Sequence, residues 1–151
     1  MKIARVFTRR IMATTRSAQI AEAAAAMKRF GVGSLLVMED PPAIGPPVGI
    51  VTDRDLALQG FASDSSHVGS VMTPVVATVR EEADLHEALE LMRAHGVRRL
   101  VVTSDDGGLR GILSIDDIVD GLSADLAAAA AVLKGEVRRD AAGLGEVKVG
   151  G

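Results

Sequence analysis

The sequence has no cysteine, tryptophan or tyrosine, and it has only three phenylalanines. Without cysteine, disulfide bonds and thiolate chemistry are excluded, which suits a reducing compartment, and we expect a cytoplasmic protein. With so few aromatic rings, the surface offers little on which nucleic-acid bases could stack. The net charge of −3 at pH 7 gives no overall attraction to phosphate polymers. We therefore expect no nucleic-acid partner.

Long hydrophobic runs are also missing. A charged residue interrupts every apolar segment before it reaches the roughly 18 to 20 residues that a membrane-spanning helix needs. The first 21 residues contain five basic residues and no acidic residue, a bias that is typical of organelle transit peptides. Because this segment belongs to an internal repeat, we interpret it as part of the fold, and we expect no membrane association.

The chain contains one sequence pattern twice. Residues 6–37 align without a gap with residues 71–102, and GIVTDRDL at 49–56 then aligns with GILSIDDI at 111–118. A pattern that is this long and occurs only twice indicates two pseudo-symmetric halves packed together, rather than a solenoid. The 151 residues, 48% of them hydrophobic, suffice for such halves to share a core.

Each half has the same predicted order of elements. Helical spacing predicts helices at 20–30 and 85–95, and each ends before a glycine, the residue expected just past a helix C-terminus. Apolar runs predict strands at 34–38, 48–51, 99–103 and 109–113, and short extended leads are expected at 6–14 and 71–79. Strands that are apolar on both faces need helices to cover them, so we expect an α/β protein of mixed α+β type.

These elements divide the chain into four predicted segments. The two halves are placed at residues 1–62 and 66–122. A separate, alanine-rich helix is expected at 123–140, with Ser123 as its N-cap. The glycine-rich residues 141–151 are expected to form a flexible tail.

The repeated motif pairs a hydroxyl with a carboxylate three residues later, as Thr52 with Asp55 and as Ser114 with Asp117. This spacing fits a capping box, which needs no ligand. It also fits a ligand site, because a helix N-terminus favours phosphate and a carboxylate one turn away can accept hydrogen bonds from ribose hydroxyls. The residues alone leave both interpretations open.

The duplicated motif, together with the Glu-Ala pair and methionine of each first helix, the Gly-Val after it and VMTP at 71–74, resembles the cystathionine β-synthase (CBS) domain family. The resemblance is to a tandem pair, or Bateman module, and covers about residues 1–122. It implies two β-α-β-β-α units with two clefts that bind an adenosine-containing ligand such as AMP, ADP, ATP or S-adenosylmethionine. It also implies a homodimer and no required cofactor.

The same resemblance implies that the two motifs hold ribose and phosphate. It further implies that the lead of each half faces the motif of the other half. Met12 would then lie beside Ser114 and Asp117, and Ala77 would lie beside Thr52 and Asp55.

Basic residues distinguish the two halves. Arg98 and Arg99 precede the second-half strand beside Ser114, whereas the first half has Gly33 and Ser34 at these positions, so its nearest cation is Arg54. The arginines could be ordinary surface residues at a strand end. Guanidinium geometry also suits bidentate phosphate recognition, and on that interpretation the Ser114/Asp117 cleft is expected to hold phosphate more tightly.

No combination of residues indicates catalysis, and the three histidines lack the spacing of metal ligands, so we expect neither an enzyme nor a metal site. The expected function is a stand-alone regulatory module that senses an adenosine-type small molecule and signals to an unknown effector protein. The alternative is a structural or interaction protein in which the motifs are only helix caps and the clefts stay empty.

Overall fold

The computed structural model describes residues 1–41, 45–59, 66–75 and 77–141. The first half contains β1 (Ala13–Thr15), α1 (Ile20–Phe30), β2 (Ser34–Met38), β3 (Gly49–Thr52) and α2 (Asp53–Gln59). The second half contains β4 (Thr73–Pro74), β5 (Thr78–Arg80), α3 (Leu85–His95), β6 (Arg99–Thr103), β7 (Leu109–Ser114) and α4 (Ile115–Ala141). A short 3-10 turn precedes each half, at Ile3–Arg5 and Val68–Ser70. The expected mixed α+β fold with two β-α-β-β-α units is confirmed.

Helices α1 and α3 occupy the same positions in the two halves. Each ends at a glycine in the left-handed conformation, Gly31 with φ 64° and Gly96 with φ 62°, where a side chain would be strained. Each buries its methionine, Met27 or Met92, against the strands of its own half. The glycine stop and the buried apolar stripe explain why the predicted bounds of both helices are confirmed.

The two halves exchange their leads. Strand β4 pairs antiparallel with β3 of the first half, so that Thr73 lies opposite Ile50. In the same way Thr8 pairs with Ile112 of β7, donating to its carbonyl at 2.9 Å and accepting from its amide at 3.1 Å. Each sheet is therefore completed by a segment from the other half.

The exchange extends into the two hydrophobic cores. Ile3 and Phe7, from the start of the chain, are buried in the core of the second half. Val68 and Val71 are buried in the core of the first half. Each core thus contains residues from both sides of the predicted boundary between residues 62 and 66. The division of the chain into two domains at this boundary stays a prediction.

The crossing leads also explain why each motif begins with glycine. A Cβ atom on Gly111 would collide with the Thr8 carbonyl oxygen and the Phe7 ring, and one on Gly49 would collide with Met72. A third buried cluster, Leu36, Ile50, Val101 and Ile112, joins the two sheets face to face. The clefts described below lie at the edges of this shared interface.

One prediction about the C-terminal region is wrong. The C-terminal helix exists, but it is continuous with the helix that follows the second motif, and Ser123 lies inside α4 instead of capping a new helix. Leu122 and Ala124, which flank the serine, have high helix propensity, and no proline interrupts the segment, so the helix continues through Gly121 and Ser123. Residues 142–151 of the expected tail lie outside the described residues.

Among the described residues, no helix is both long enough and apolar enough to cross a membrane.

Candidate functional site: two clefts between the halves

Both motifs form complete capping boxes at the point where a buried strand meets a helix. The Asp55 amide donates to Thr52 Oγ1 at 3.1 Å, and the Thr52 amide donates to Asp55 Oδ2 at 3.0 Å. The Asp117 amide donates to Ser114 Oγ at 3.1 Å, and the Ser114 amide donates to Asp117 Oδ2 at 2.8 Å. The capping interpretation of the motif is therefore correct.

The caps leave part of each carboxylate accessible to a ligand. In both halves the cap uses Oδ2, and Oδ1 of Asp55 and Asp117 accepts no hydrogen bond from a described residue. A carboxylate oxygen has two lone-pair positions, so Oδ1 can accept hydrogen bonds while the cap stays intact. Capping and ligand binding are thus compatible roles for one residue, and the cap fixes the direction of the carboxylate.

The first cleft lies beside Thr52 and Asp55 and has a volume of about 230 Å³. Its opposite wall comes from the second half, and includes Ala77 of the lead and the segment between α3 and β6. The predicted neighbours Thr52, Asp55 and Ala77 are therefore brought together. Arg98 and Arg99 also line this cleft.

The second cleft lies beside Ser114 and Asp117 and has a volume of about 370 Å³. Met12 lines it, as predicted, together with Gly33 and Ser34 of the first half. These small residues occupy the positions that Arg98 and Arg99 occupy in the first cleft, which is consistent with the larger volume of the second cleft.

The sequence-based assignment of Arg98 to the Ser114/Asp117 cleft is wrong, whereas Arg99 lines that cleft as expected. Arg98 lines the Thr52/Asp55 cleft and not the Ser114/Asp117 cleft, and Arg99 lines both. The physical reason is that each cleft combines the motif of one half with both the lead and the strand start of the other half. Arg99 lies opposite Ser114 in the sheet. The Ser114 hydroxyl donates to the carboxylate of Asp117, three residues later, at 2.7 Å.

Two further basic residues differ from expectation. Arg54 is exposed, and the described lining of neither cleft includes its side chain. Arg10 lines the second cleft and was missed by the sequence analysis. In the repeat alignment Arg10 occupies the position of Val75, and Val75 lines the first cleft. This equivalence of the two leads is the signal that could have identified Arg10.

Arg98 reaches outward from the first cleft. Its guanidinium lies 3.7 Å from the Asp116 carboxylate, and the two side chains are 69% and 70% exposed. An exposed pair of this kind contributes little to stability. Arg98 can therefore turn toward a ligand at small cost.

Within the described part of the chain, no group of three histidine, cysteine, aspartate or glutamate residues is arranged to hold a metal ion.

The model of the CBS domain family matches the chain twice, over residues 3–59 and 68–124. The chain therefore belongs to the CBS domain family and contains a tandem pair of these domains. This finding confirms the family that the repeated motif indicated.

Individual relatives agree with this assignment. A protein of Methanopyrus kandleri is 35% identical over 102 residues, which are 65% of this chain and 50% of that protein, so the chain spans half the length of this relative. The solved structure of a protein with CBS domains from Burkholderia ambifaria is 31% identical, with a TM-score of 0.67, covering 83% of this chain and 96% of that one.

A third comparison includes bound ligands. The CBS domain pair of protein MJ0100, solved in complex with 5′-methylthioadenosine and S-adenosyl-L-methionine, has a TM-score of 0.67 and covers 83% of this chain and 98% of that one. Its sequence is 21% identical, so this likeness shows the fold alone.

Proposed function

We propose that this chain is a regulatory module that binds an adenosine-containing small molecule, such as AMP, ADP, ATP or S-adenosylmethionine, in the clefts between its halves. The observation that carries the proposal is the geometry of the two motifs. Each places a carboxylate beside a helix N-terminus at the wall of a cleft, and one oxygen of this carboxylate accepts no hydrogen bond from a described residue. This arrangement offers acceptors for ribose hydroxyls and places the positive end of a helix dipole, which favours phosphate, beside the cleft.

The cleft walls suit the remaining parts of such a ligand. Aliphatic side chains, Ile50 and Val101 in the first cleft and Ile11 and Ile112 in the second, provide apolar contact area for a purine ring. The adenosine derivatives bound to the MJ0100 pair are consistent with this chemistry.

Because residues of both halves line each cleft, a bound ligand would contact both halves. Binding would then favour one packing of the halves over another, which is a change that an effector protein can recognise.

A thermal-shift experiment tests the proposal. AMP, ADP, ATP, S-adenosylmethionine and NAD are each added to the wild-type chain, and the midpoint of unfolding is measured. A ligand that binds only the folded state, at 100 times its dissociation constant, stabilises it by about 2.7 kcal/mol. We expect at least one adenosine compound to raise the midpoint of the wild type.

The matched control is the double variant Asp55→Ala/Asp117→Ala, in which the rise should be much smaller. If no compound shifts the wild type, the clefts are unoccupied and the chain is a structural or interaction protein, in which the motifs act only as caps.

We further propose that the chain forms a homodimer through its exposed helix faces. Large apolar side chains at a spacing of three and four residues lie on one side of α4, where Leu126 is 73% exposed and Leu133 is 64% exposed. Such spacing is typical of a helix face that packs on another helix. A second copy would bring an identical stripe to cover it.

Sedimentation tests the homodimer. We expect a dimer at tens of micromolar, and Leu126→Glu should shift it toward monomer because it places a charge in the apolar stripe. Ala131→Glu, on the opposite side of α4, is the matched control and should leave the dimer intact. A wild-type monomer, with and without nucleotide, would contradict the proposal.

A further inference from the structure

Arg99 lies at the interface between the two halves. It begins β6, and its side chain projects from the same face of the sheet as that of Val101, two residues later. Val101 is buried in the cluster that joins the two sheets, while Arg99 is half-buried at the edge of this interface. Among the described residues, the Arg99 guanidinium forms no ion pair with a carboxylate.

From this position Arg99 lines both clefts, beside Thr52 in the first and beside Asp117 in the second. Its equivalent in the first half is Ser34, which pairs with Thr52 as Arg99 pairs with Ser114. Ser34 lines only the second cleft. These two equivalent positions therefore provide one arginine, Arg99, because the first half has a serine at its position.

We propose that Arg99 is shared between the two clefts, so that anionic ligands in the two clefts bind antagonistically. This inference rests on the proposed function. A guanidinium presents its donors in one plane, and bidentate pairing with one phosphate leaves few donors for a second phosphate elsewhere. The first anion to bind therefore takes this partner away from the other cleft.

Each cleft also has an arginine of its own. Arg98 lines only the first cleft and Arg10 lines only the second. When Arg99 faces one cleft, the other keeps a cation, so the second ligand binds more weakly instead of being excluded. Uncharged adenosine does not need Arg99, and its two binding events should be independent.

Titration calorimetry with AMP and with adenosine tests the sharing. The variants Asp117→Ala and Asp55→Ala each weaken binding in one cleft, so that titration at low ligand concentration gives the intrinsic association constant of the other. In the wild type, we expect the product of the two AMP constants to fall about tenfold below the product of the intrinsic constants, within the usual range of coupling between sites. For adenosine the two products should agree.

Arg99→Ala, introduced into the wild type and both single-cleft variants, should abolish the AMP deficit. Ser34→Arg should reduce it, because the second cleft then has a guanidinium of its own at the equivalent position. Arg93→Ala, which removes the same charge from the exposed face of α3, is the matched control and should preserve the deficit.

Three results would overturn the inference. They are equal products for AMP in the wild type, a deficit that persists in Arg99→Ala, and binding of adenosine without any binding of AMP. The last result leaves the proposed function standing. Absence of binding by both compounds and by the other adenosine ligands would instead overturn the proposed function, and the shared arginine with it.

Discussion

The two clefts are built from equivalent positions but differ in charge. In the first, Arg98 and Arg99 face the single motif carboxylate of Asp55. In the second, Gly33 and Ser34 replace the arginine pair. Duplication has therefore preserved the elements that form a cleft, while the residues at the strand start decide what charge it presents.

The second cleft is also more acidic. Arg10 and the shared Arg99 face two carboxylates there, Asp53 and Asp117. Because carboxylates oppose a phosphate and arginines attract it, we infer that the first cleft binds anionic ligands more tightly. This ranking is the reverse of the one that the sequence predicted, since Arg98 lines the first cleft and Arg99 lines both.

The largest expected difference between the clefts comes from removing one motif carboxylate at a time. Asp55→Ala should weaken AMP binding at the tighter site by roughly 1.5 to 3 kcal/mol, because a hydrogen bond to a charged group is lost. Asp117→Ala should cause a loss of similar size at the weaker site only. Calorimetry of the two variants checks this, and unchanged affinity in the double variant would reject the ribose role.

Removal of either cap hydroxyl should reduce stability, by similar amounts in the two halves. Thr52→Ala and Ser114→Ala each delete the acceptor of a helix amide, which costs about 1 kcal/mol of unfolding free energy. Chemical denaturation without ligand measures the effect. If neither variant is destabilised, the hydroxyls do not stabilise the helix starts.

A smaller effect is expected for Arg98, which separates phosphate from nucleoside recognition. Arg98→Ala should weaken AMP binding at the first cleft by about threefold, a modest loss because the side chain is largely exposed. Adenosine binding should not change. Equal losses for AMP and adenosine would show that Arg98 does not contact phosphate.

The smallest effect is expected for Arg54, the matched control for Arg98. The described lining of neither cleft includes this exposed arginine, so Arg54→Ala should leave AMP affinity within error at both sites. A loss in Arg54→Ala as large as that in Arg98→Ala would mean that general positive charge, and not position, attracts the ligand.

Local signals in the sequence were sufficient to predict most elements of the fold. Helices α1 and α3 end at glycine, and β3 and β7 end at the hydroxyl that caps the next helix, one residue beyond the predicted bounds. The motif residues were found because capping requires a fixed spacing. Ser123 gave a false local signal, since a serine can cap a helix or lie within one.

Contacts between the halves were harder to predict from the sequence. That Ile3 packs in the second half and Val68 in the first depends on long-range packing, which no local pattern encodes. The cross-placement of Arg98 and Arg10 has the same origin. The resemblance to a known family predicted that the lead of each half faces the motif of the other half. It did not predict that the residues at the strand starts do the same.

A crystal structure of the chain grown with one equivalent of AMP tests the central claim most directly, because it shows which cleft is occupied first. We predict AMP in the first cleft, with its ribose on Asp55 and its phosphate near Arg98 and Arg99. AMP in the Ser114/Asp117 cleft alone would contradict the ranking of the clefts, and two empty clefts at saturating AMP would contradict the proposal that this nucleotide binds there.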